Sequence, residues 1–239
     1  MGGVRNLKLL LHRAAYWVSF FLPLGFLWGK LHSKDYHPKL EGIKSRILDS
    51  RLDPNESLFN RWAKQLNYPF LLGDKKVLEI GHGGAWYLAE ALDEGAARVV
   101  GYEISKDLNQ RASAALNQLG YSNFELITGN GKDLKVLQNQ KFDLIFSITV
   151  LQHLPTRITK KYLTDIVELL DVGGIFVVQT LHSYGRSMKR LSRADLFSVA
   201  YSRKEFSALL REVGLKQVSY AEENYDSKET FWGIYLLSK

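Results

Sequence analysis

Two acidic residues flank a glycine-rich turn in the first half of this chain. Glu79 lies in the apolar run that starts at Val77, and Gly81 and Gly83 follow it. Glu103 ends the next apolar run, 24 positions after Glu79. A glycine-rich turn between a strand and a helix lets a ligand approach bare backbone and the helix N-terminus. An acid roughly 20 residues further on can reach the hydroxyl pair of a ribose. The spacing therefore predicts a nucleoside-binding site.

The glycine pattern excludes two common nucleotide-binding loops. A dinucleotide fingerprint starting at Gly81 needs a glycine at position 86, where Trp86 stands and would block a pyrophosphate. A P-loop needs Gly-Lys-Ser/Thr after the turn, and none follows. The remaining pattern, acid-x-Gly-x-Gly, resembles the first motif of class I S-adenosylmethionine-dependent methyltransferases, with Ala85 in place of the usual final glycine.

Three further segments resemble the same family, in the family's order. Residues 142–155 resemble its fourth strand and the following loop. Residues 169–178 resemble a helix end, a Gly-Gly turn and the fifth strand, and residues 201–215 resemble the late helix before strand six. The resemblance covers residues 75–239, about two thirds of the chain. It implies a Rossmann-like methyltransferase domain with S-adenosylmethionine as its cofactor.

Strand and helix patterns alternate after Lys75, which predicts a mostly parallel sheet with helices on both faces. The expected strands are 76–80, 97–102, 123–128, 142–147, 174–180, 215–221 and 231–237. The last two have no long helix between them and should form an antiparallel hairpin. The expected fold is therefore a three-layer α/β/α sandwich. Its seven-stranded, mostly parallel sheet ends in an antiparallel C-terminal hairpin, and an N-terminal helical extension precedes it.

The resemblance implies a first group of cofactor contacts at the glycine turn and the two acids. Gly81 and Gly83 would let the backbone approach the methionyl group. Glu79 would hold the turn and reach the ammonium group through water. Glu103 would accept both ribose hydroxyl protons, because a carboxylate offers two acceptor oxygens.

A second group of implied contacts follows the same turn and the ends of the next strands. His82 is expected to pack against the cofactor, and Ile104 follows the ribose-binding acid. Asn130 and Gly131 follow strand three, where the Asn130 carbonyl oxygen would accept from the adenine amino group. Ser147 ends strand four and is expected to border the sulfonium.

Methyl transfer needs few reactive side chains, because the sulfonium already activates the methyl group and the enzyme mainly aligns the acceptor. A general base contributes where the acceptor is a hydroxyl or another protonated nucleophile. His153, which follows strand four in Leu-Gln-His-Leu-Pro, is the candidate catalytic residue, with a structural role as the alternative. His82 and His182 are weaker candidates; His182 is expected to start the loop after strand five.

The acceptor is less constrained by the sequence. Adenine amino-methyltransferases carry Asn/Asp-Pro-Pro-aromatic after strand four, where this chain has Ser-Ile-Thr-Val at 147–150. The absence of cysteine excludes the pyrimidine C5 mechanism. The segment 181–202, expected to be a loop, holds a basic cluster that could bind a phosphate or carboxylate: Arg186, Lys189, Arg190 and Arg193. We expect a small organic or lipid-like acceptor, methylated at oxygen, with nitrogen and carbon left open.

Two alternatives to this function remain open. An RNA methyltransferase would use the basic surface implied by a net charge of +7 and a pI of about 9.4, although no added RNA-binding module is visible. A non-catalytic cofactor-binding partner subunit would have no need to keep Glu79 and Glu103 together. A nicotinamide dehydrogenase is disfavoured by Trp86, and no His/Asp/Glu cluster at ligand spacing predicts a metal.

Residues 1–74 form the predicted N-terminal helical extension and linker, and residues 75–239 the methyltransferase domain. Residues 14–29 carry no charge, but the run is shorter than the roughly 20 apolar residues of a spanning helix, and Pro23 interrupts it. A lid over the substrate pocket, a membrane-surface helix and a true anchor are the three interpretations. The expected location is cytoplasmic, with membrane contact through residues 5–29.

A second helix is predicted to open near Asn55 and to run to about Leu66. Four apolar residues recur on one helical face: Leu58, Phe59, Trp62 and Leu66. The resemblance implies that a helix before the first strand lines the cofactor pocket. Core packing explains the same four positions equally well.

Overall fold

The structure, a computed structural model, describes residues 56–191, 197–224 and 229–239. The segment 5–29, for which a lid or a membrane contact is predicted, lies outside these residues. Across the three described ranges, no helix is both long enough and apolar enough to cross a membrane.

The described residues form nine strands and five α-helices. The strands are β1 (Lys76–Ile80), β2 (Arg98–Glu103), β3 (Phe124–Thr128), β4 (Phe142–Ile148), β5 (Leu170–Ser183), β6 (Met188–Leu191), β7 (Phe197–Ser202), β8 (Lys216–Asn224) and β9 (Thr230–Ser238). The helices are α1 (Leu58–Leu66), α2 (Trp86–Asp93), α3 (Lys106–Gln118), α4 (Thr156–Leu169) and α5 (Arg203–Glu212).

The strands lie in the order β3-β2-β1-β4-β5-β7-β6, and β9 pairs with both β5 and β8. The first five strands pair in parallel, whereas β9 runs antiparallel to β5 and to β8. The mostly parallel sheet and the antiparallel C-terminal hairpin are therefore confirmed. The strand order reverses between β1 and β4, where ligands of such sheets bind beyond the carboxyl ends of the strands.

The segment 181–202 is not the predicted loop. β5 continues to Ser183, and β6 and β7 form an antiparallel hairpin that brings the sheet to nine strands instead of seven. β7 pairs with the last two residues of β5, His182 and Ser183. β9 accounts for the longer strand, because it pairs with every residue of β5 from Ile175 to Ser183. Pairing between segments this far apart in the chain leaves no local sequence pattern.

Helix α1 packs against the middle of the sheet. Its N-cap is Ser57, and its four predicted apolar residues are all buried, which confirms that prediction. The rings of Phe59 and Trp62 lie edge-on to Phe146 of β4, with centroids 5.6 and 5.9 Å away. Phe146 pairs with Glu79 of β1, and paired residues of parallel strands point to the same face. Helix α1 therefore lies on the sheet face that carries Glu79.

Candidate functional site

The turn after β1 has the conformation that its glycines predict. Gly81 and Gly83 have φ values of 78° and 52°, in the left-handed region that glycine adopts without penalty. Ala85 has a φ of 60° at the N-terminus of α2, so it takes the same conformation as the glycine it replaces. A Cβ added at Gly83 would meet no atom within 4 Å, so the space beside the turn is open.

Glu79 is a buried acid with an unused acceptor. It is 3% exposed, and among the described residues its Oε2 atom has no hydrogen-bond partner. Burial, followed by the charges of Glu90 and Glu103, raises the pKa of Glu79 well above its usual range. A buried polar atom without a partner is destabilising, and native structures hold few of them. The unused oxygen can accept a hydrogen bond from a further donor, such as an ammonium group.

Glu103 links the end of β2 to the glycine turn. Its Oε1 atom accepts from the Ser105 N–H at 2.9 Å, and its Oε2 atom accepts from the Gly83 N–H at 3.2 Å. Each carboxylate oxygen can accept a second hydrogen bond, so the group retains capacity for two further donors. The backbone bonds fix the carboxylate beside the open space at Gly83. This position suits a pair of neighbouring ligand hydroxyls.

His82 is held inside the protein by α3. Its Nε2–H donates to Asn109 Oδ1 at 2.6 Å, because the Asn109 amide nitrogen already donates to the Glu103 carbonyl and to Thr128. The ring is 5% exposed, and burial lowers its pKa. A Cβ at Gly101 would lie only 2.5 Å from His82 Cδ2, so the ring packs directly on β2. These contacts show that His82 anchors the turn. The sequence had predicted that it packs against the cofactor.

Asn130 uses the carbonyl oxygen that was predicted to meet adenine. That Oδ1 atom accepts from the Lys132 N–H at 2.7 Å and from the Asp133 N–H at 3.1 Å. Its amide nitrogen donates to Asp133 Oδ1 at 3.1 Å. Asn130 thus shapes its own loop. Gly131 is placed by Tyr102, whose hydroxyl accepts from the Gly131 N–H at 3.2 Å.

Ser147 and Ile104 occupy two different surroundings. Ser147 is fully buried, and its hydroxyl donates to the Ile80 carbonyl at 3.1 Å, which ties β4 to β1. Ser147 therefore supports the ends of the two strands, whereas the prediction was that it borders the sulfonium. Ile104 is half-buried, and a Cβ at Gly131 would lie 3.4 Å from its Cγ2 atom, so the loops after β2 and β3 meet there.

The candidate histidines differ in accessibility. His153 ends a short 3-10 turn (Leu151–His153) after β4 and is half-buried, at the carboxyl edge of the sheet as predicted. His182 lies within β5, fully buried, instead of starting a loop. Its Nδ1–H donates to the Tyr201 carbonyl at 2.9 Å, and burial lowers its pKa to about 4. His182 is therefore a neutral core residue without access to an acceptor.

The sequence analysis missed a polar cluster that α1 and α2 bring to Glu79. Tyr87 of α2 lies near Glu79 and Glu90, and the Arg61 guanidinium donates to its hydroxyl; burial raises the pKa of Tyr87 to about 12. Arg61 Nε is buried, has no hydrogen-bond partner in the part of the chain that the structure describes, and lies 4.0 Å from Glu223 Oε1. Tyr87 therefore lies near both Arg61, whose Nε atom has unused donor capacity, and Glu79, whose Oε2 atom has unused acceptor capacity.

Two amides extend this cluster across the sheet. Gln65 of α1 and Gln179 of β5 each donate to Glu223 of β8, both at 2.7 Å. One sequence signal was available: Arg61 and Gln65 follow Leu58 and Trp62 by three positions, at the margin of the apolar stripe of α1. The partner across the sheet, Glu223, carried no such signal.

The loop after β4 packs tightly over the glycine turn. Thr149 has a φ of 56°, which is unusual for a β-branched residue. A Cβ added at Gly81 would lie 2.3 Å from Val150 Cγ2. Strained backbone clusters at functional sites. The two loops therefore form one interlocked rim around the open space.

A methyltransferase-domain family model matches residues 77–174, which include the glycine turn, both acids and β4. The match falls on the segment that carries the glycine turn and the two acids described above. Residues 77–174 form a methyltransferase domain, and the chain has the class I S-adenosylmethionine-dependent methyltransferase fold.

Curated relatives resemble this chain over different lengths. The protein-L-isoaspartate O-methyltransferase of Nitrobacter winogradskyi is 31% identical over 128 residues, which are 54% of this chain and 58% of the relative. The tRNA U34 carboxymethyltransferase of Vibrio atlanticus is 24% identical over 197 residues, 80% of this chain and 60% of the relative. The chain thus spans less than two thirds of the length of these curated relatives.

A solved class I structure supports the fold. The 1,6-didemethyltoxoflavin-N1-methyltransferase of Burkholderia thailandensis, solved with 1,6-didemethyltoxoflavin and S-adenosylhomocysteine, superposes with a TM-score of 0.59 at 18% identity. The superposition covers 70% of this chain and 72% of that structure. At this identity the likeness concerns the fold alone.

Proposed function

We propose that this chain is a methyltransferase that transfers a methyl group from S-adenosylmethionine to a small organic or lipid-like acceptor, at oxygen. The observation that carries the proposal is the pair of acids around the open glycine turn. Glu79 offers a buried, unpartnered oxygen, and Glu103 offers two oxygens with acceptor capacity. An ammonium group and a ribose hydroxyl pair, both present in this cofactor, satisfy these two demands. S-adenosylmethionine supplies a methyl group that its sulfonium charge has already activated.

The cluster at α1 adds a contact for the other end of the methionyl group. Glu79 would bind the ammonium group, and Arg61, whose Nε is buried without a hydrogen-bond partner, would bind the carboxylate. Gly81 and Gly83 leave the backbone uncovered between them. Ile104 and Gly131 would border adenine, with Asn130 holding their loop in shape.

The chemical step would depend on alignment of the acceptor over the end of β4. The rim formed by Thr149 and Val150 would exclude water there, and Ser147 would hold β4 against β1. His153 remains the proposed base for a hydroxyl acceptor. We expect His153→Ala to lower turnover while the affinity for S-adenosylmethionine stays unchanged; equal turnover would remove His153 from the mechanism.

Calorimetric titration with S-adenosylmethionine and S-adenosylhomocysteine tests the proposal. We expect binding in the micromolar range and a loss of at least about tenfold in affinity for Glu103→Ala, which removes the ribose acceptor. Glu168→Ala is the matched control, because Glu168 is an exposed acid on α4 outside the site. Absence of binding by the folded wild type would contradict the assignment. Equal loss in both variants would contradict the role of Glu103.

An RNA acceptor is the second candidate function. Two observations favour it: the likeness to a tRNA carboxymethyltransferase and the net charge of +7. If RNA is the acceptor, its binding should weaken steeply with salt, because phosphate contacts release counterions. Salt-independent binding, or none, would leave the small acceptor as the proposal.

We further propose that residues 75–239 are the methyltransferase domain and that the chain is cytoplasmic, with a membrane contact through residues 5–29. Helix α1, which precedes the domain, would contribute Arg61 to its site. Flotation with liposomes tests the membrane contact. Recovery of all the protein away from the liposomes would contradict it.

A further inference from the structure

A cavity of about 540 Å³ lies beyond the end of β5, apart from the proposed cofactor contacts. The end of β5 and its following loop, the N-terminus of α5 and the start of β9 surround it. Its principal lining residues are Ser183, Tyr184, Arg186, Arg203, Lys204 and Phe231. The rings of Tyr184 and Phe231 lie 4.6 Å apart, and Tyr184 is 62% exposed. The cavity therefore combines an aromatic wall with several cations.

Glu205 is the acid among the lining residues, and its side chain is held by neutral donors at the start of α5. Its Oε2 atom accepts from the Ser202 hydroxyl at 2.6 Å and from the Ser187 N–H at 3.2 Å. These hydrogen bonds, led by those from Ser187 and Ser202, lower the pKa of Glu205. The carboxylate is thus fixed in the cap of α5. Glu205 stays ionised, but within the described residues it forms no ion pair with a cation of the cavity, and the three cations outnumber this one acid.

Two of the three cations remain available for a ligand. Arg203 lies 3.8 Å from Glu222 Oε1 and 4.0 Å from the centre of the Tyr220 ring, so its guanidinium already has an ion-pair partner and an aromatic contact. Within the described residues, Arg186 and Lys204 have no ion-pair partner. They come from different elements and border the same cavity. A phosphate dianion matches two separate cations better than a single negative charge does.

We propose that this cavity binds a phosphate group carried by the methyl acceptor. The inference rests on the proposed function, because it places the acceptor between the cofactor and the cavity. Arg186 and Lys204 would neutralise the phosphate, and Tyr184 would contact the part of the acceptor next to it.

The strand geometry sets the length of such an acceptor. Ile148, the last residue of β4, pairs with Gln179 of β5, and Ser183 lies four residues further along β5. Four residues of extended strand span about 13 Å. The acceptor would therefore be elongated, with its reactive atom near the end of β4 and its phosphate about 13 Å away. Small acceptors without a phosphate would not reach the cavity.

Titration of the full chain with phenyl phosphate, an aromatic phosphate monoester, tests the site. The test variant is Arg186→Gln with Lys204→Gln. The control is Arg98→Gln with Lys141→Gln, which removes the same charges at the opposite, amino-terminal edge of the sheet. We expect affinity for phenyl phosphate to fall about tenfold in the test variant and to change less than about twofold in the control. A second titration uses phosphatidylcholine vesicles that contain phosphatidic acid.

Equal losses in both variants, or no binding of phenyl phosphate by wild type, would overturn the phosphate site. Vesicle binding that only the test variant loses would place the phosphate in a lipid. Loss confined to phenyl phosphate would place it in a soluble acceptor. Titration of the same preparations with S-adenosylmethionine separates the two proposals. Phosphate binding that depends on the cavity, without cofactor binding, would retain the site and reject the methyltransferase function.

Discussion

At the residue scale, Glu79 is a buried acid whose Oε2 atom has no partner among the described residues. The raised pKa of Glu79 means that the folded protein holds this proton more tightly than the unfolded chain. Its contribution to stability is therefore complete below about pH 4.5 and is lost as the pH rises toward the folded pKa. Function and stability make opposite demands on Glu79, because only the charged form attracts an ammonium group.

Glu79→Gln separates these demands by replacing the acid with an uncharged side chain of the same shape. We expect the melting temperature of the variant, relative to wild type, to be higher at pH 8 than at pH 5. We also expect its affinity for S-adenosylmethionine to fall about tenfold. Thermal melts at both pH values and calorimetry provide the measurements, with Glu168→Gln as control. The same difference in melting temperature between variant and wild type at both pH values would contradict the raised pKa of Glu79.

Backbone strain at Thr149 gives a second residue-scale prediction. Left-handed backbone costs a residue with a Cβ roughly 1–2 kcal/mol, whereas glycine loses more freedom on folding. Thr149 is exposed, so little packing is lost on its replacement. We expect Thr149→Gly to stabilise the protein by about 0.5–1 kcal/mol in urea unfolding. Thr149→Ala retains the Cβ and should gain much less; equal gains would show that the Cβ is not the source of the strain.

At the scale of elements, the glycine turn and the loop after β4 act as a unit. A side chain at Gly81 would meet Val150 Cγ2 at 2.3 Å, and the φ of 78° adds strain. We expect Gly81→Ala to lower both stability and affinity for S-adenosylmethionine. Val150→Ala in the same protein should restore part of each loss, because it removes the clash and leaves the φ strain.

A double-mutant cycle measures this interlock. The expected coupling free energy of unfolding between Gly81→Ala and Val150→Ala is about 1 kcal/mol or more, as for other side chains in direct contact. Val150→Ala alone is the control for lost packing. Strictly additive losses would mean that the loop moves away from the turn and that the two elements are independent.

At the scale of the whole molecule, His182 makes global stability depend on pH. Burial lowers its folded pKa to about 4, below the ordinary 6.5. Its contribution is present above about pH 6.5 and is lost as the pH falls toward 4, because the unfolded chain then binds the proton. The loss between pH 7 and pH 5 should be about 2 kcal/mol.

His182→Asn tests this dependence, since asparagine retains an N–H for the Tyr201 carbonyl. We expect the variant to be less stable at pH 7 but to lose less on acidification to pH 5 than wild type. Denaturant unfolding at the two pH values provides the measurement. Glu79 contributes with the opposite sign over the same range and is common to both proteins, so the difference isolates His182. Equal losses of unfolding free energy between pH 7 and pH 5 in the two proteins would contradict the assignment of this pH dependence to His182.

The local motifs were predictable because each depends on neighbours in the chain. Gly81 and Gly83 specify a turn by their own backbone freedom, and the spacing of Glu79 and Glu103 follows from one strand–helix–strand unit. The apolar face of α1 and the C-terminal hairpin follow from period and connection length in the same way. These features are enough to predict the resemblance to the family and the edge of the sheet at which the candidate site lies.

The tertiary structure decided what each polar side chain does. Asn130 has the residue type expected of an adenine contact, but the loop backbone already donates to its Oδ1 atom, and Asn109 holds the His82 ring in the turn. The continuation of β5, and the approach of Arg61 to the site, depend on segments far apart in sequence. A polar group forms its hydrogen bond with whichever partner the fold brings within about 3 Å. The spacing of residues in the sequence sets that distance only within one turn or one strand–helix–strand unit.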